Sequence, residues 1–287
     1  VAGLADLGTV MTGHAHSRPA CYKTLAILAA EGALLYDFEW HKRFGDSTAT
    51  SAVAAITLLR EFLTFDSVLD IGCGDGRWLA ECLTQGATQI TGVDGAWTDL
   101  GRLEIPADRM VIHDLATRLD LGRRYDLALS LEVAEHVAEH AAETFVGNLA
   151  RHSDVVFFGA AIPHQGGFLH VNEQWQSYWR DLFAKSGFVA YDPIRGQIWD
   201  DERVCYWYSQ NALLYVSKDR PDLQRATVEY ILRKKVAQLP MDVVHPALYL
   251  THATYEHISF GPMLKSVPRN ISAKLRGRLR KLTSRPQ

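Results

Sequence analysis

The sequence predicts an α/β fold, a mostly parallel sheet with helices on both faces, and three observations carry that expectation. From residue 67 onward, short apolar runs alternate with stretches of helical periodicity, the pattern of a parallel sheet covered on both sides. One run, Val68-Leu69-Asp70-Ile71, feeds directly into glycines at alternate positions, Gly72, Gly74 and Gly76. Successive runs also carry an acid at or just beyond their C-terminal ends: Asp70, Asp94 and Asp114.

Residues 1–17 mix Gly, Ala, Thr and His without periodicity and read as an arm. Pro19 to Leu35 has apolar residues at helical spacing (Leu25, Leu28, Ala29, Leu35), so a helix is expected there. The aromatic and charged segment Tyr36 to Gly45 reads as packing for that helix or as a lid. Ser51 to Phe62 is a second helix, with Ala52, Ala55, Ile56 and Leu59 on one face. Strands are expected at 68–71, 89–93, 109–113, 125–130 and 154–159, with a helix at Trp78 to Leu83 after the glycines. Ile162 to Gly167 is a loop by composition, and Asn172 to Lys185 a helix that Gly187 terminates. Val189 to Tyr191 and Asn211 to Ser217 are the last two strands, followed by a helix from Asp222 to Gln238. The expected division is a helical cap over 1–65, a catalytic domain over 66–220 and a C-terminal extension over 221–287.

With 287 residues and 47% apolar content, the chain can bury a full core. A net charge of −3 gives no overall pull toward nucleic acid or a membrane. The four cysteines, Cys21, Cys73, Cys82 and Cys205, lack metal-ligand or disulfide-framework spacing and read as reduced thiols. No segment approaches the roughly 20 apolar residues of a membrane span, and none reads as a cleaved leader. A soluble, cytoplasmic protein is expected. Residues 264–287 hold eight Lys or Arg and no acid, with Ile271, Leu275, Leu279 and Leu282 forming an apolar stripe if helical. Such a tail is solvated or packed in an oligomer, or makes weak contact with an anionic membrane surface.

Glycines at 72, 74 and 76 remove every second Cβ from the turn, so the backbone can take positive φ and a ligand can lie on its amides. The spacing is G-x-G-x-G, not the G-x-G-x-x-G of dinucleotide sites. Asp94, at the end of the next strand, is placed to accept both hydroxyls of a ribose. Asp114, after Met110-Val111-Ile112, is placed for an exocyclic adenine amine. Three such acids suit a nucleoside whose tail is not a diphosphate. Over Ser67 to Val216, and most specifically in Val-Leu-Asp-Ile-Gly-Cys-Gly-Asp-Gly, the chain resembles the class I S-adenosylmethionine-dependent methyltransferases. The resemblance implies a Rossmann-like, seven-stranded, mostly parallel sheet of order 3-2-1-4-5-7-6. It implies S-adenosylmethionine as cofactor, with Asp70, Gly72 and Gly74 along its methionine part, Asp94 on the ribose and Asp114 on the adenine. Cys73, Gly95, Leu115 and Leu131 complete the implied cofactor contacts.

After the fourth strand comes Glu132-Val133-Ala134-Glu135-His136. A helical turn there would put Glu132, Glu135 and His136 on one face, a set able to hold Mg²⁺ or Mn²⁺. This E-x-x-E-H pattern is similar to the metal sites of ubiquinone-pathway O-methyltransferases and of small-RNA 2′-O-methyltransferases. In the second group a further His after the fifth strand completes the site, and His170 stands in the corresponding region here. The overlapping H-x-x-E-H at His136 to His140 matches an inverted zinc-peptidase motif, which lacks its protease context and is set aside. His170, His136 and Glu135 are the candidate catalytic residues, with His164 a second candidate base. Trp175, Trp179, Trp199 and Trp207 are candidates for stacking on an acceptor. The expected reaction is methyl transfer to a hydroxyl of a sugar, polysaccharide or secondary metabolite, with a small-molecule or saccharide partner and metal assistance. The alternatives are an RNA 2′-O-methyltransferase and a non-catalytic cofactor-binding scaffold subunit.

Overall fold

The computed structural model describes residues 38–253, with side chains from 47 to 252. The expected helix from Pro19, the arm before it and the basic tail from Leu264 lie outside the described residues. The chain runs through α1 (Phe38–Arg60), β1 (Ser67–Ile71), α2 (Arg77–Thr84), β2 (Gln89–Asp94), β3 (Met110–Ile112), β4 (Leu127–Leu131), α3 (Ala142–His152) and β5 (Val155–Gly159). It continues through α4 (Gln176–Lys185), β6 (Phe188–Tyr191), α5 (Arg195–Ile198), α6 (Tyr206–Asn211), β7 (Leu213–Ser217), α7 (Pro221–Lys234) and α8 (Pro246–Ala253).

The seven strands form one sheet of order β3-β2-β1-β4-β5-β7-β6, the order expected. β1 pairs in parallel with β2 and β4, and β2–β3 and β4–β5 are parallel too, whereas β7 runs antiparallel to β5 and β6. From β1 the chain winds out to β3 and then returns to β4. The connections leaving β1 and β4 therefore diverge, which makes their C-terminal ends the switch point at which open α/β sheets form a ligand crevice.

Strand alternation divides the core between the two faces. Val68, Leu127, Leu129, Phe157 and Leu214 pack with Ile56 and Leu59 of α1 and Leu79 and Cys82 of α2. Leu69, Ile71, Ala128, Phe158 and Tyr215 pack with Phe145 and Leu149 of α3 and Trp179 and Phe183 of α4. β1, β4, β5 and β7 are buried along their whole length, as expected of strands covered on both faces. The face expected on the second helix, Ala52, Ala55, Ile56 and Leu59, is buried, although that helix already starts at Phe38.

Three boundaries differ from the sequence expectation for reasons of hydrogen bonding. α4 begins at Gln176 instead of Asn172, because the N–H groups of Val171 and Asn172 donate to the Glu135 carbonyl and that of Gln174 to the Ala161 carbonyl. β7 begins at Leu213, while Asn211 closes α6 and turns its side chain inward. α7 ends at Lys234, where Lys235 turns left-handed at φ 52°.

One compact unit runs to His245, and a second begins at Pro246. Arg195 ties the later segment of the first unit in place. Only 1% exposed, it pairs with Asp192 at 2.9 Å and donates to the carbonyls of Gln210 (3.2 Å), Met241 (3.2 Å) and Pro240 (3.0 Å). Among the described residues no helix is long and apolar enough to cross a membrane. Arg195→Met should cost about 3–5 kcal/mol of unfolding free energy, since it strands a buried carboxylate and three carbonyls. Urea denaturation followed by circular dichroism checks this, and a loss below about 1 kcal/mol would contradict the clamp.

Candidate functional site

Because β1 to β5 are parallel, their C-terminal ends share one edge of the sheet, and the acids carried there converge. The turn after β1 is anchored by the Gly72 N–H on the Val93 carbonyl at 2.7 Å. Gly72, Gly74 and Gly76 take φ of 86°, 56° and 86°. A Cβ on Gly72 would overlap the side chain of Val133, whereas one on Gly74 would meet nothing within 4 Å. Gly72 is thus held by a close approach from the segment after β4, and Gly74 faces open space.

The Asp94 carboxylate accepts the Gly74 N–H at 2.7 Å and the Gly95 N–H at 2.6 Å, so it fixes the turn it faces. Asp70 is 3% exposed, and burial followed by the nearby Asp94 charge holds its carboxyl well above the usual range. Asp114, at the end of β3, is exposed and accepts the Ala116 N–H at 3.0 Å. Trp97, 76% exposed, lays its ring across Gly95 at the mouth. The side chains of Cys73, Leu115 and Leu131 are committed to the core. Cys73 Sγ lies 3.4 Å from Met110 Sδ, and burial, then Asp70 and Asp94, raise the thiol's pKa far above its ordinary value.

After β4 the expected helical face does not form. Glu132 adopts φ 58°, and the only helical geometry nearby is a single 3₁₀ turn, Ala134–His136. Among the described residues, Glu135, His136 and His170 bring one donor atom each to within 4.8 Å of one another, and Glu132 does not join them. Instead Glu132 accepts Gln165 Nε2 at 2.6 Å and Asn211 Nδ2 at 2.8 Å, one donor on each oxygen. Burial nevertheless pushes its carboxyl up to about 7, those two amides offsetting part of the rise.

Glu135 is 1% exposed, and neither carboxylate oxygen meets a donor within hydrogen-bonding geometry. Burial first and the Glu132 charge second raise its pKa well above the ordinary value, against a lowering by the backbone N–H groups of Glu135 and Ala161. Orphaned buried oxygens of this kind call for a positive partner. His170 Nε2 lies 4.0 Å from Glu135 Oε1, and the His136 and His170 rings meet edge to face at 4.8 Å. His170 Nδ1 sits 2.9 Å from Glu173 Oε1, and His136 Nδ1 sits 3.3 Å from the Leu169 carbonyl. With Nδ1 of each ring facing an acceptor oxygen, the tautomer that carries its hydrogen on Nδ1 suits both contacts and makes Nε2 the ligating atom. Burial, then the neighbouring His170, hold His136 down to about 4, so it is neutral and suited to ligation more than to taking a proton. The donor set therefore fits a divalent cation.

The fold also matches proteins of known chemistry. Residues 40–191 match the family described as "Methyltransferase domain". The chain belongs to this methyltransferase family. A ubiquinone biosynthesis O-methyltransferase of Rhodopseudomonas palustris strain HaA2 is 28% identical over 141 residues, 46% of this chain and 51% of that protein. Its counterpart in strain BisA53 is 34% identical over 141 residues, with the same shares covered. The methyltransferase spans about half the length of these curated relatives. Among solved structures, the sugar N-methyltransferase KedS8 from Streptoalloteichus aligns over 75% of this chain and 99% of its own with a TM-score of 0.50. At 15% identity that likeness speaks for the class I S-adenosylmethionine-dependent methyltransferase fold alone.

Sequence reasoning about the methyltransferase missed the residues that hold the site. Glu173 receives the His164 N–H at 2.8 Å, the Gly166 N–H at 2.9 Å and His170 Nδ1, and so staples the loop after β5. The H-x-x-E spacing of His170 and Glu173 was the available signal. Gln165, Gln210 and Asn211 gave none, since amides scattered over 46 positions show no pattern. His164, the second candidate base, is exposed and outside the cluster. Trp179 is core at 1% exposure, packed on Phe158, whereas Trp175 remains 40% exposed. Trp199 lies against His245, and Trp207 against Tyr206 and Tyr208.

Gly72→Ala should weaken S-adenosylhomocysteine binding by at least about tenfold by calorimetry, because it forces both φ and Val133 to shift. Gly74→Ala at a site with room should do so chiefly through backbone strain, with a smaller loss of stability. A second expectation concerns pH. Glu132 has a folded-state pKa raised from 4.5 to about 7, so the folded state holds its proton more tightly and stability falls as pH rises through that window. Asp70 and Glu135 act in the same direction. The melting temperature of chelator-treated protein should therefore decline from pH 4.5 to about 7, and Glu132→Gln should flatten that decline.

Proposed function

We propose that this methyltransferase moves a methyl group from S-adenosylmethionine to an acceptor hydroxyl in the β1–β4 crevice, beside a divalent ion held by Glu135, His136 and His170. The observation that supports the reading is the close approach of Gly72 to Val133, which lays the glycine turn against the segment that carries Glu135 and His136. S-adenosylmethionine supplies an already activated methyl group, and a divalent ion would lower the cost of forming an alkoxide at neutral pH.

The chain's own residues do the rest. Gly74 leaves open space for the methionine part, and α2 begins at Arg77 after Gly76 without a capping side chain, leaving its first N–H groups for a carboxylate. Asp70 lies beneath that part, Asp94 and Gly95 meet the ribose, and Asp114 the adenine. Trp97 closes over the mouth. His170, oriented by Glu173, stands where it can hold the ion or take the acceptor proton. Phe168, Leu169, Val171 and Trp175 expose apolar surface around it, which supports a partly apolar small molecule, such as a secondary metabolite or glycoside, over a bare polysaccharide. The name O-methyltransferase carried by the partial relatives supports oxygen as the methylated atom.

Labelled S-adenosylmethionine offered with catechols, glycosides, oligosaccharides and RNA tests the reading. An O-methylated small molecule is expected, with turnover stopped by chelator while S-adenosylhomocysteine still binds. His170→Ala should lower kcat by about 10²–10³-fold. An N- or C-methylated product would contradict the acceptor assignment, and full activity in chelator would remove the ion.

A further inference from the structure

We infer that the cation site of this chain selects a borderline transition ion against Mg²⁺, because a buried amide relay withdraws Glu132 from it. The inference rests on the ion site proposed above, and concerns which ion that site takes.

Glu132 is the second acid of the E-x-x-E-H pattern, and with it the site would hold two acids and two imidazoles. Its oxygens, however, are engaged by Gln165 Nε2 and Asn211 Nδ2 at 2.6 and 2.8 Å. Those amides cannot turn away. Gln165 Oε1 accepts from the Ile162 N–H at 3.3 Å, from Gln210 Nε2 at 3.0 Å and from Asn211 Nδ2 at 3.0 Å. Asn211 Oδ1 accepts Gln210 Nε2 at 2.9 Å, and Gln210 Oε1 accepts the His245 N–H at 2.8 Å. A backbone N–H can only donate, so Ile162 and His245 fix the amide oxygens at both ends of the relay. The NH₂ groups of Gln165 and Asn211 are thereby committed to Glu132. All three amides are buried, and moving Glu132 to an ion would leave two buried donors unsatisfied.

What remains is one carboxylate and two imidazoles, each imidazole oriented through Nδ1. Mg²⁺ demands oxygen ligands and gives up water reluctantly, whereas imidazole nitrogen suits Fe²⁺, Co²⁺, Ni²⁺ and Zn²⁺. A set that is two-thirds nitrogen and carries one negative charge therefore discriminates by ligand type. The unpartnered oxygens of Glu135, buried and 4.0 Å from His170 Nε2, are an independent sign that a ligand belongs there.

The test uses the full chain after chelation and dialysis, titrated with MgCl₂, MnCl₂ and CoCl₂ by calorimetry. The visible ligand-field band of Co²⁺ reports nitrogen ligation directly. Co²⁺ should bind at least about 100-fold more tightly than Mg²⁺. Glu135→Gln and His170→Ala should each weaken Co²⁺ by at least about tenfold and alter the band, whereas Glu132→Gln should leave affinity within about threefold. Mg²⁺ within about tenfold of Co²⁺ would overturn the inference, as would a Glu132→Gln loss equal to that of Glu135→Gln. The two readings fail separately: Co²⁺ bound with no methylated product sinks only the reaction, and a methylated product formed with Mg²⁺ preferred sinks only the selectivity.

Discussion

The close approach of Gly72 to Val133 is the constraint on which the site depends. It occurs where the chain, having wound outward from β1 to β3, returns to lay β4 beside β1. Any side chain at position 72 would push the two loops apart and widen the crevice between the glycine turn and the Glu132 to His136 segment. Parallel pairing then delivers Asp70, Asp94 and Asp114 to the same edge without further design, since parallel strands end on one side. The antiparallel β7 has another use: its approach through α6 brings Asn211 back to Glu132.

The same edge works against the fold's stability. Asp70, Glu132 and Glu135 are buried carboxyls whose charged forms are disfavoured, and the Glu135 oxygens have no hydrogen-bond partner. Stability is supplied elsewhere, in the two apolar layers around the sheet and in the fully partnered Arg195 clamp. Orphaned oxygens on a buried acid that stands beside two imidazoles are the arrangement expected when a cationic or polar ligand completes the structure.

Much of the fold was legible because it is written locally. The apolar runs of β1, β4 and β5, the positive-φ glycines and the face of α1 follow from period and residue type alone. Strand order came from family resemblance, since no periodicity encodes it. Within the site, the E-x-x-E-H spacing pointed to Glu135 and His136 and family resemblance to His170, and the structure brings these three together. Glu132 was misjudged because the backbone turns left-handed there, and a helical wheel cannot represent a residue at φ 58°. The amides that bind it lie 33 and 79 positions away, so nothing local could have announced them. The start of α4 was misplaced for a related reason: its first N–H groups are spent on Glu135 and Ala161, partners that adjoin only after folding.

The loop stapled by Glu173 divides its labour between main chain and side chains. Apart from His170, what it gives the cluster is backbone: the Leu169 carbonyl to His136, and the N–H groups of Val171 and Asn172 to Glu135. The exposed side chains of Leu169 and Val171 carry none of that geometry. Substitution at those two positions can therefore vary the shape and polarity of the exposed surface beside the cluster while Glu135 and the two imidazoles keep their places, which makes the loop a natural point for one scaffold to diversify into many.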